Sequence, residues 1–257
     1  MVRGLFTAWT GLATEQKRLD VIANNMANSA TVGFKAENVT NQSFKDVMTL
    51  KVNDSSENFV DRKIGKMNLG VKLGEIYTDH SQGSLKETGN DFDVAMNGRG
   101  FFVLSVKDAK GNESIKYTRD GSFTMDREGY VVDCYGNRVQ SESGDLQIPT
   151  DATKFTIDID GSVYADNEYI DKISVVDFED YDYLEKFADN MYAPIEGAKQ
   201  IDAKGTVIQG YTEQSNVNVI SEMVEMINIT RAYEANQKVM QTMDNSLDQV
   251  VNSVGRI

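Results

Sequence analysis

The chain has 257 residues, a formal net charge of −14 and a single cysteine. Its acidity excludes the basic surface that nucleic-acid binding requires, and one cysteine cannot form an internal disulfide. With no run of 18 apolar residues and no apolar signal segment, we predict neither membrane insertion nor a cleaved signal peptide.

The first predicted element is an amphipathic helix from about Arg3 to about Ala27. Four of its apolar residues follow a strict step of seven, and Ile22 lies three residues after the third of them, so they share one helical face. These four are Leu5, Leu12, Leu19 and Met26. Several asparagines, followed by Gly33 with its freedom to adopt positive φ, indicate where the helix stops.

The next forty residues show weaker patterns. We predict that residues 36–74, together with 203–214, form a connecting region. Within it, Phe44–Leu50 indicates a short helical turn, Lys51–Asn58 a flexible polar segment, and Lys63–Gly74 a short strand punctuated by glycine.

From residue 75 to residue 202 the apolar pattern changes to a period of two, with turn signals every 8–12 residues. This pattern predicts an inserted antiparallel β domain. Asn97-Gly98 indicates one hairpin turn, Asp160-Gly161 indicates another, and Ala203–Tyr211 is the last predicted strand. Residues 151–200 hold thirteen Asp or Glu against four Lys, which we interpret as a solvated surface.

The last predicted element is a long helix over residues 216–257, with Asn216 or Asn218 as its cap. Its apolar residues at steps of seven are Val219, Met226, Tyr233, Met240, Leu247 and Val254. Such a helix cannot bury this seam against itself, so we predict that it pairs with the N-terminal helix. The predicted fold class is α+β, with a discontinuous helical coiled-coil domain (residues 1–35 and 215–257) and the inserted β domain (75–202). Polar interruptions at Thr230, Asn236, Gln237 and Asp244 would then face other chains or water.

No group of residues forms a convincing catalytic or metal site. Asp177, Glu179, Asp180 and Asp182 could supply the paired carboxylates of a glycosidase, but adjacent acids are more typical of a solvated loop. We predict that His80, in a polar turn, lies at the surface and that Cys134 is a buried small residue. Metal sites need several His or Cys, and Asp158–Gly161 departs from a calcium loop, so we predict no catalytic residue, metal or cofactor.

Three segments of the chain nevertheless match motifs of a known family. The N-terminal motif residues are Ala23, Asn24, Asn25, Ala27, Asn28, Thr31, Gly33 and Phe34, and the C-terminal ones are Gly210, Ser215, Asn216, Val217, Arg231, Ala232 and Tyr233. In the middle, Asp93–Phe102 and Tyr117–Phe123 have similar counterparts. With these motifs the chain resembles the bacterial flagellar rod and hook proteins.

The resemblance implies a structural subunit that polymerises into the tubular drive shaft of the flagellum, with no enzyme activity. It implies export without signal cleavage and a location in the basal body, crossing the periplasm. The terminal helices, through Leu5–Met26 and Val219–Val254, would pack subunits around the inner tube. Implied partners are copies of itself, other rod proteins, the hook protein, the type III export apparatus and surrounding ring proteins.

Within that family, the length and the Glu213–Val217 segment favour a distal rod subunit. The alternatives are a proximal-rod paralogue or a hook–basal-body protein, and more distantly a cell-wall-acting enzyme that uses the acidic cluster. A binding module whose termini form a closed oligomer is a further possibility. A non-closing contact between copies would instead generate a helical filament.

Overall fold

The structure is a computed structural model that describes residues 2–50, 63–107, 113–152, 154–188 and 190–254. The chain divides into two compact units. The first, the helical unit, comprises Met1–Met26, Glu37–Tyr77 and Val219–Ile257, and the second, the β unit, comprises Ala27–Ala36 and Thr78–Asn218. Residues 37–74 of the predicted connecting region therefore group with the terminal helices, and residues 203–214 group with the β unit.

Two long helices and two strand pairs build the helical unit. Its elements are α1 (Val2–Ala27), β1 (Glu37–Ser43), β2 (Val47–Leu50), β3 (Lys63–Met67), β4 (Val71–Thr78) and α2 (Val219–Gln249), which is followed by a π-helical turn (Val250–Val254). β1 pairs with β4, and β2 pairs with β3. The bounds of α1 confirm the helix that the heptad pattern predicts.

The helical turn predicted at Phe44–Leu50 is wrong, because Val47–Leu50 forms strand β2. This strand is antiparallel to β3, with Val47 opposite Met67. A short apolar run does not by itself distinguish helix from strand, and here the partner strand decides. The predicted flexible segment Lys51–Asn58 lies outside the described residues.

The two terminal helices run antiparallel and approach closely through small residues. The pairs that mark their contact are Gly4 with Met243, Gly11 with Asn236, Arg18 with Glu225, and Asn25 with Glu222. A Cβ atom added to Gly11 would lie 3.0 Å from Nδ2 of Asn236. The absence of a side chain at Gly11 therefore lets the helices approach. Ala8 and Ile22 of α1 and Ile229 of α2 are buried.

The predicted leucine row of α1 lies beside this contact rather than in it. Leu5, Leu12, Leu19 and Met26 are only half-buried. Leu5 and Leu12 each follow by one residue a glycine that faces α2, Gly4 or Gly11, so on the helix they are rotated by about 100° from that contact. On α2 the described members of the predicted row, Val219, Met226, Tyr233, Met240 and Leu247, are also half-buried. Of the polar interruptions, Asn236 lies at Gly11 while Thr230, Gln237 and Asp244 are exposed.

In the described part of the β unit the chain forms short strands and one 3₁₀ turn (Tyr181–Tyr183). The strands are β5 (Leu85–Glu87), β6 (Val94–Asn97), β7 (Phe101–Lys107), β8 (Glu113–Thr118), β9 (Thr124–Met125), β10 (Val131–Val132), β11 (Arg138–Val139), β12 (Phe155–Ile157), β13 (Ser162–Ala165), β14 (Glu168–Lys172), β15 (Val175–Phe178), β16 (Leu184–Lys186), β17 (Met191–Pro194), β18 (Gln200–Asp202), β19 (Thr206–Gln209) and β20 (Tyr211–Glu213). Within the described residues of this unit the pairings are antiparallel. The fold class α+β is thus confirmed.

Strand β7 is the centre of the main sheet, whose order is β16-β17-β8-β7-β11-β10-β9. One edge of β7 pairs with β8, and the other edge is shared by β15 and β11. Side chains alternate along it, so Phe102 and Leu104 enter one apolar core while Phe101 and Val103 enter another. The nearly continuous apolar run Phe101–Val106 predicts a strand buried on both faces, and in the structure this strand is the element on which both cores are built.

Two turn predictions have opposite outcomes. Asp160-Gly161 is a hairpin turn, as predicted, because it joins the paired strands β12 and β13. The hairpin predicted at Asn97-Gly98 is wrong, since β6 pairs with β19 and not with β7. The last predicted strand, Ala203–Tyr211, is divided at Gly210 into β19 and β20, which join different sheets. Turn residues show that the chain bends but not which strand lies beside it.

Candidate functional site

Three motifs that are far apart in the sequence meet in the β unit at one buried ion cluster. Lys35, Arg119 and Glu213 form it, and the side chains of all three are almost completely buried. Lys35 Nζ lies 2.5 Å from Oε1 of Glu213, and Nη1 of Arg119 lies 3.3 Å from Oε2. We call these three residues the motif junction. Each comes from a different segment of the family resemblance, so the junction ties the ends of the inserted unit together.

Backbone hydrogen bonds enclose the junction. The Gly33 N–H donates to the backbone carbonyl of Glu213 at 2.8 Å. Asn216 Oδ1 accepts from the Ala36 N–H, and its Nδ2 donates to the carbonyl of Asp79, both at 2.8 Å. Asn216 therefore does not cap α2, which begins at Val219. It links the C-terminal end of the β unit to two earlier segments of the same unit, at Ala36 and at Asp79.

The junction contains two cations and one carboxylate in a site closed to solvent. Burial lowers the pKa of Lys35, while the charge and hydrogen bond of Glu213 oppose that shift. Lys35 also donates to the carbonyl of Ser81, and the Arg119 guanidinium lies 5.2 Å from the centre of the Phe101 ring. Because burying an ion without its counter-charge costs several kcal/mol, the structure depends on Glu213 at this point.

His80 is enclosed beside the junction, so the prediction of a surface histidine is wrong. Its ring lies 4.8 Å from that of Tyr181, 5.2 Å from that of Tyr192 and 5.9 Å from that of Phe101. Its buried Nδ1 atom has no hydrogen-bond partner among the described residues. Burial, and then the charges of Lys35 and Arg119, lower the pKa of His80 to about 4. The aromatic partners come from distant strands and turns, which the local turn signal could not show.

The stability of the β unit is expected to fall as the pH falls from about 6.5 to about 4. In that range the unfolded chain protonates His80 while the folded chain does not, because the folded pKa is depressed. The loss is on the order of 2–3 kcal/mol. His80→Phe should remove it, since the chain has no other histidine. Denaturant unfolding of the unaltered chain and of the His80→Phe variant at pH 6.5 and pH 4.5 measures how much unfolding free energy each loses. Equal losses in the two proteins would contradict the prediction.

The motif asparagines act through the backbone. Asn25 is buried, and its side chain accepts from the Glu37 N–H at 2.9 Å and donates to the Glu37 carbonyl at 2.8 Å. Asn28 accepts a hydrogen bond from the Thr31 hydroxyl at 3.1 Å. These contacts end α1 and start the next segment, which explains asparagine at those two positions.

The other motif residues are distributed over several environments. Phe34 is fully buried, Gly210 joins β19 to β20, and Ser215 accepts a hydrogen bond from the Val217 N–H. The exposed members are Ala23, Asn24, Ala27 and Arg231, whereas Ala232 and Tyr233 are half-buried. The structure therefore brings the motifs around residues 33, 119 and 213 together, and places Arg231–Tyr233 in the other unit.

The candidate catalytic groups have structural partners instead. Asp177 is buried on β15, which corrects its assignment to a solvated loop, and it accepts from Tyr181 Oη at 2.7 Å and pairs with Arg99. Cys134 is exposed rather than buried, and partial desolvation with the nearby charges of Asp120 and Asp133 raises the pKa of its thiol. A raised pKa disfavours the thiolate, so the geometry provides no activated nucleophile. Among the described residues no group of His, Cys, Asp and Glu could hold a metal ion.

The helical unit leaves large apolar side chains exposed. Phe6 and Trp9 project from α1, and Ile220, Met223, Val224 and Ile227 project from the first two turns of α2. Clusters of this kind on a helix mark a contact surface more often than scattered exposed residues do. No helix in the described part of the chain is long and apolar enough to cross a bilayer.

Sequence reasoning missed the ion pairing of Glu213, the enclosure of His80 and the small-residue line of α1. A signal for the last was present, because Gly4, Ala8 and Gly11 recur at helical spacing. Nothing local reveals the other two, since their partners are separated by tens of residues.

Comparisons with known proteins follow the same three segments. Family models match residues 5–35 (flagella basal body rod protein), 95–165 (flagellar hook protein FlgE/F/G D1 domain) and 208–253 (flagellar basal body rod FlgEFG protein C-terminal). The chain is 35% identical to the flagellar basal-body rod protein FlgG of Bacillus subtilis, over 98% of this chain and 99% of that protein. It is 34% identical to FlgG of Buchnera aphidicola from Acyrthosiphon pisum, over 97% and 99%. It is 33% identical to the rod protein FlgF of Caulobacter vibrioides, over the full length of both.

Proposed function

Because this chain belongs to the flagellar basal-body rod and hook protein family, we propose that it is a structural subunit of the basal-body rod. The observation that carries the proposal is the match to proteins named FlgG over almost the whole of both chains. The same names make it a structural protein and not an enzyme. They also place it in the flagellar basal body.

The finer proposal is a distal rod subunit that polymerises into the tube transmitting torque from motor to hook. Its partners would be copies of itself, other rod proteins, the hook protein, the export apparatus and the surrounding rings. The exposed apolar side chains of α1 and α2 support this proposal, because they offer surfaces to neighbouring copies. The terminal helices would pack as a coiled coil in the assembly, with the half-buried row from Leu5 to Met26 contributing contacts.

The proposal predicts the outcome of a gene deletion in the native bacterium. Cells without this chain should be non-motile, and electron microscopy of their basal bodies should show a shortened rod without a hook. Re-expression of the unaltered chain should restore both. A complete rod and hook in the deletion strain would contradict the proposed function.

A proximal position in the rod is the second candidate, favoured by the full-length match to a protein named FlgF. The same micrographs separate the two. A distal subunit leaves a visible rod stub, whereas loss of a proximal subunit removes nearly the whole rod.

A further inference from the structure

Helix α2 carries a second apolar face, on the side opposite to α1. Ile220, Met223, Val224 and Ile227 follow the spacing i, i+3, i+4, i+7 and therefore form one stripe. They are 76%, 50%, 55% and 52% exposed. Ile229, which lies on the side facing α1, is 1% exposed. The helix thus buries one side within the chain and leaves an apolar outer stripe in contact with water.

Arg231 ends this stripe with a positive charge. It follows Ile227 by four residues and Val224 by seven, which places it on the same face. The side chain is exposed and forms no hydrogen bond or ion pair with any residue that the structure describes. We call Ile220, Met223, Val224, Ile227 and Arg231 the outer stripe.

An acidic cleft lies on the other side of the same unit. It has a volume of about 240 Å³ and is lined by residues of α1, β1, β4 and α2. Three carboxylates line it, from Glu37, Glu222 and Glu225, against the single guanidinium of Arg18. Apolar side chains, including Val39 and Tyr77, complete its wall. Its net negative charge favours a cationic side chain.

We propose that the outer stripe of one copy docks on the acidic cleft of a second copy, with Arg231 entering the cleft. This inference rests on the proposed rod function and names the partner surface. The apolar residues would pack along the rim while the guanidinium meets the carboxylates of Glu222 and Glu225, so the two surfaces match in charge.

The geometry makes this contact intermolecular and unable to pair two copies symmetrically. Arg231 lies about 180° around the α2 axis from Glu222, so it cannot turn into the cleft of its own chain. Each copy presents a stripe on one side and a cleft on the other. Such a contact is heterologous, and repeated copies generate a ring or an open helix rather than a closed dimer.

The size of the stripe supports an array rather than a pair. Its exposed apolar surface is roughly a few hundred Å², whereas a stable two-chain interface buries about 800 Å² on each partner. A single contact of this size is weak, but in an array every copy donates one stripe and receives another. We therefore expect the contact to be occupied in the assembled rod and empty in dilute monomer.

Charge reversal tests the contact. Arg231→Glu, expressed in the deletion strain, is expected to reduce the number of complete hook–basal bodies at least tenfold. Lys238→Glu is the position control, because Lys238 is an exposed cation on the same face of α2 but seven residues, or about 10 Å, beyond Arg231 and therefore past the end of the stripe. It should stay within about twofold of the unaltered chain. Circular dichroism should show the same melting temperature for both purified variants, since neither side chain stabilises the monomer.

Cross-linking tests where Arg231 lies. With the exposed Cys134 changed to Ser, one chain carries Asn228→Cys and a second, differently tagged chain carries Tyr77→Cys. Asn228 is an exposed residue one turn before Arg231, so the guanidinium is retained. Co-expression, isolation of basal bodies and treatment with a short bismaleimide should join the two tags. The pair Lys238→Cys and Tyr77→Cys should join them at least tenfold less.

The outcomes distinguish this inference from the proposed function. If rods form normally in the Arg231→Glu strain, or if Asn228→Cys cross-links no better than Lys238→Cys, the docking inference is wrong and the rod function stands. If the deletion strain itself still builds a complete rod, the proposed function is wrong, and the docking inference, which depends on that function, is wrong as well.

Discussion

Glu213→Gln is expected to destabilise the β unit by about 3–5 kcal/mol, because it leaves two buried cations without a counter-charge. The side chains of Lys35 and Arg119 both lie against the Glu213 carboxylate, and none of the three has significant solvent exposure. The Gly83 N–H also donates to Oε1 at 2.9 Å. Glutamine keeps the size of the side chain but removes the charge. Lys35 can lose its proton, which keeps the penalty near the lower end of that range.

The effect is measured as the urea concentration at the midpoint of unfolding. Unfolding is monitored by near-ultraviolet circular dichroism of the tyrosines in the β unit. At a typical slope of about 2–3 kcal/mol per molar urea the midpoint should fall by more than about 1 M. Glu179→Gln is the control. Its ion pair with Lys199 has both side chains more than 60% exposed, so the expected cost is below about 1 kcal/mol. Equal shifts in the two variants would show that burial of the Glu213 charge does not matter.

Gly33→Ala is expected to cost about 3 kcal/mol or more, through strain and steric overlap together. Gly33 has φ +70°, a left-handed conformation that costs an alanine about 1–2 kcal/mol. A Cβ atom there would also lie 2.4 Å from the backbone nitrogen of Asp120. The backbone of Asp120 cannot move aside as easily as a flexible side chain can. The added methyl group would therefore push residue 33 away from Glu213 and disturb the motif junction.

Gly136→Ala separates the two causes. Gly136 has φ +84°, and apart from Gly136 and its two chain neighbours no described residue has an atom within 4 Å of the position that an alanine Cβ would occupy there. Conformational strain alone should therefore cost this variant about 1 kcal/mol. The difference between the two urea midpoints measures the overlap at Asp120. A Gly33→Ala protein as stable as Gly136→Ala would mean that the two backbones separate at little cost.

The elements that the sequence predicted well are those coded by local periodicity. The heptad step from Leu5 to Met26 marks α1, and the step from Val219 to Leu247 marks α2, because a helix repeats every 3.6 residues wherever it packs. The nearly continuous apolar run Phe101–Val106 marks β7, because a short strand buried on both faces carries apolar side chains at successive positions. Local turn chemistry also identified Asp160-Gly161 correctly, because the turn joins strands that are adjacent in sequence.

The failures concern contacts between distant segments. Asn97-Gly98 does turn the chain, but β6 finds its partner in β19 more than a hundred residues later. His80 is enclosed by rings from three other segments. Gly4 and Gly11 of α1 lie against side chains of α2, whereas the row of leucines is only half-buried. Residue type and spacing predict which secondary structure a segment can form. They do not predict which distant segment packs against it.

The sequence by itself determined the α+β class, the two terminal helices, the strand-rich middle and, through its motifs, the flagellar family. These properties depend on short-range periodicity and on residues that can be read one segment at a time. Only the tertiary structure decided that Lys35, Arg119 and Glu213 form one buried cluster, that α2 presents its outer stripe to water and that Glu222 and Glu225 line a cleft. The physical reason is that burial and charge pairing depend on which distant segments meet in space, and that information is spread over the whole chain.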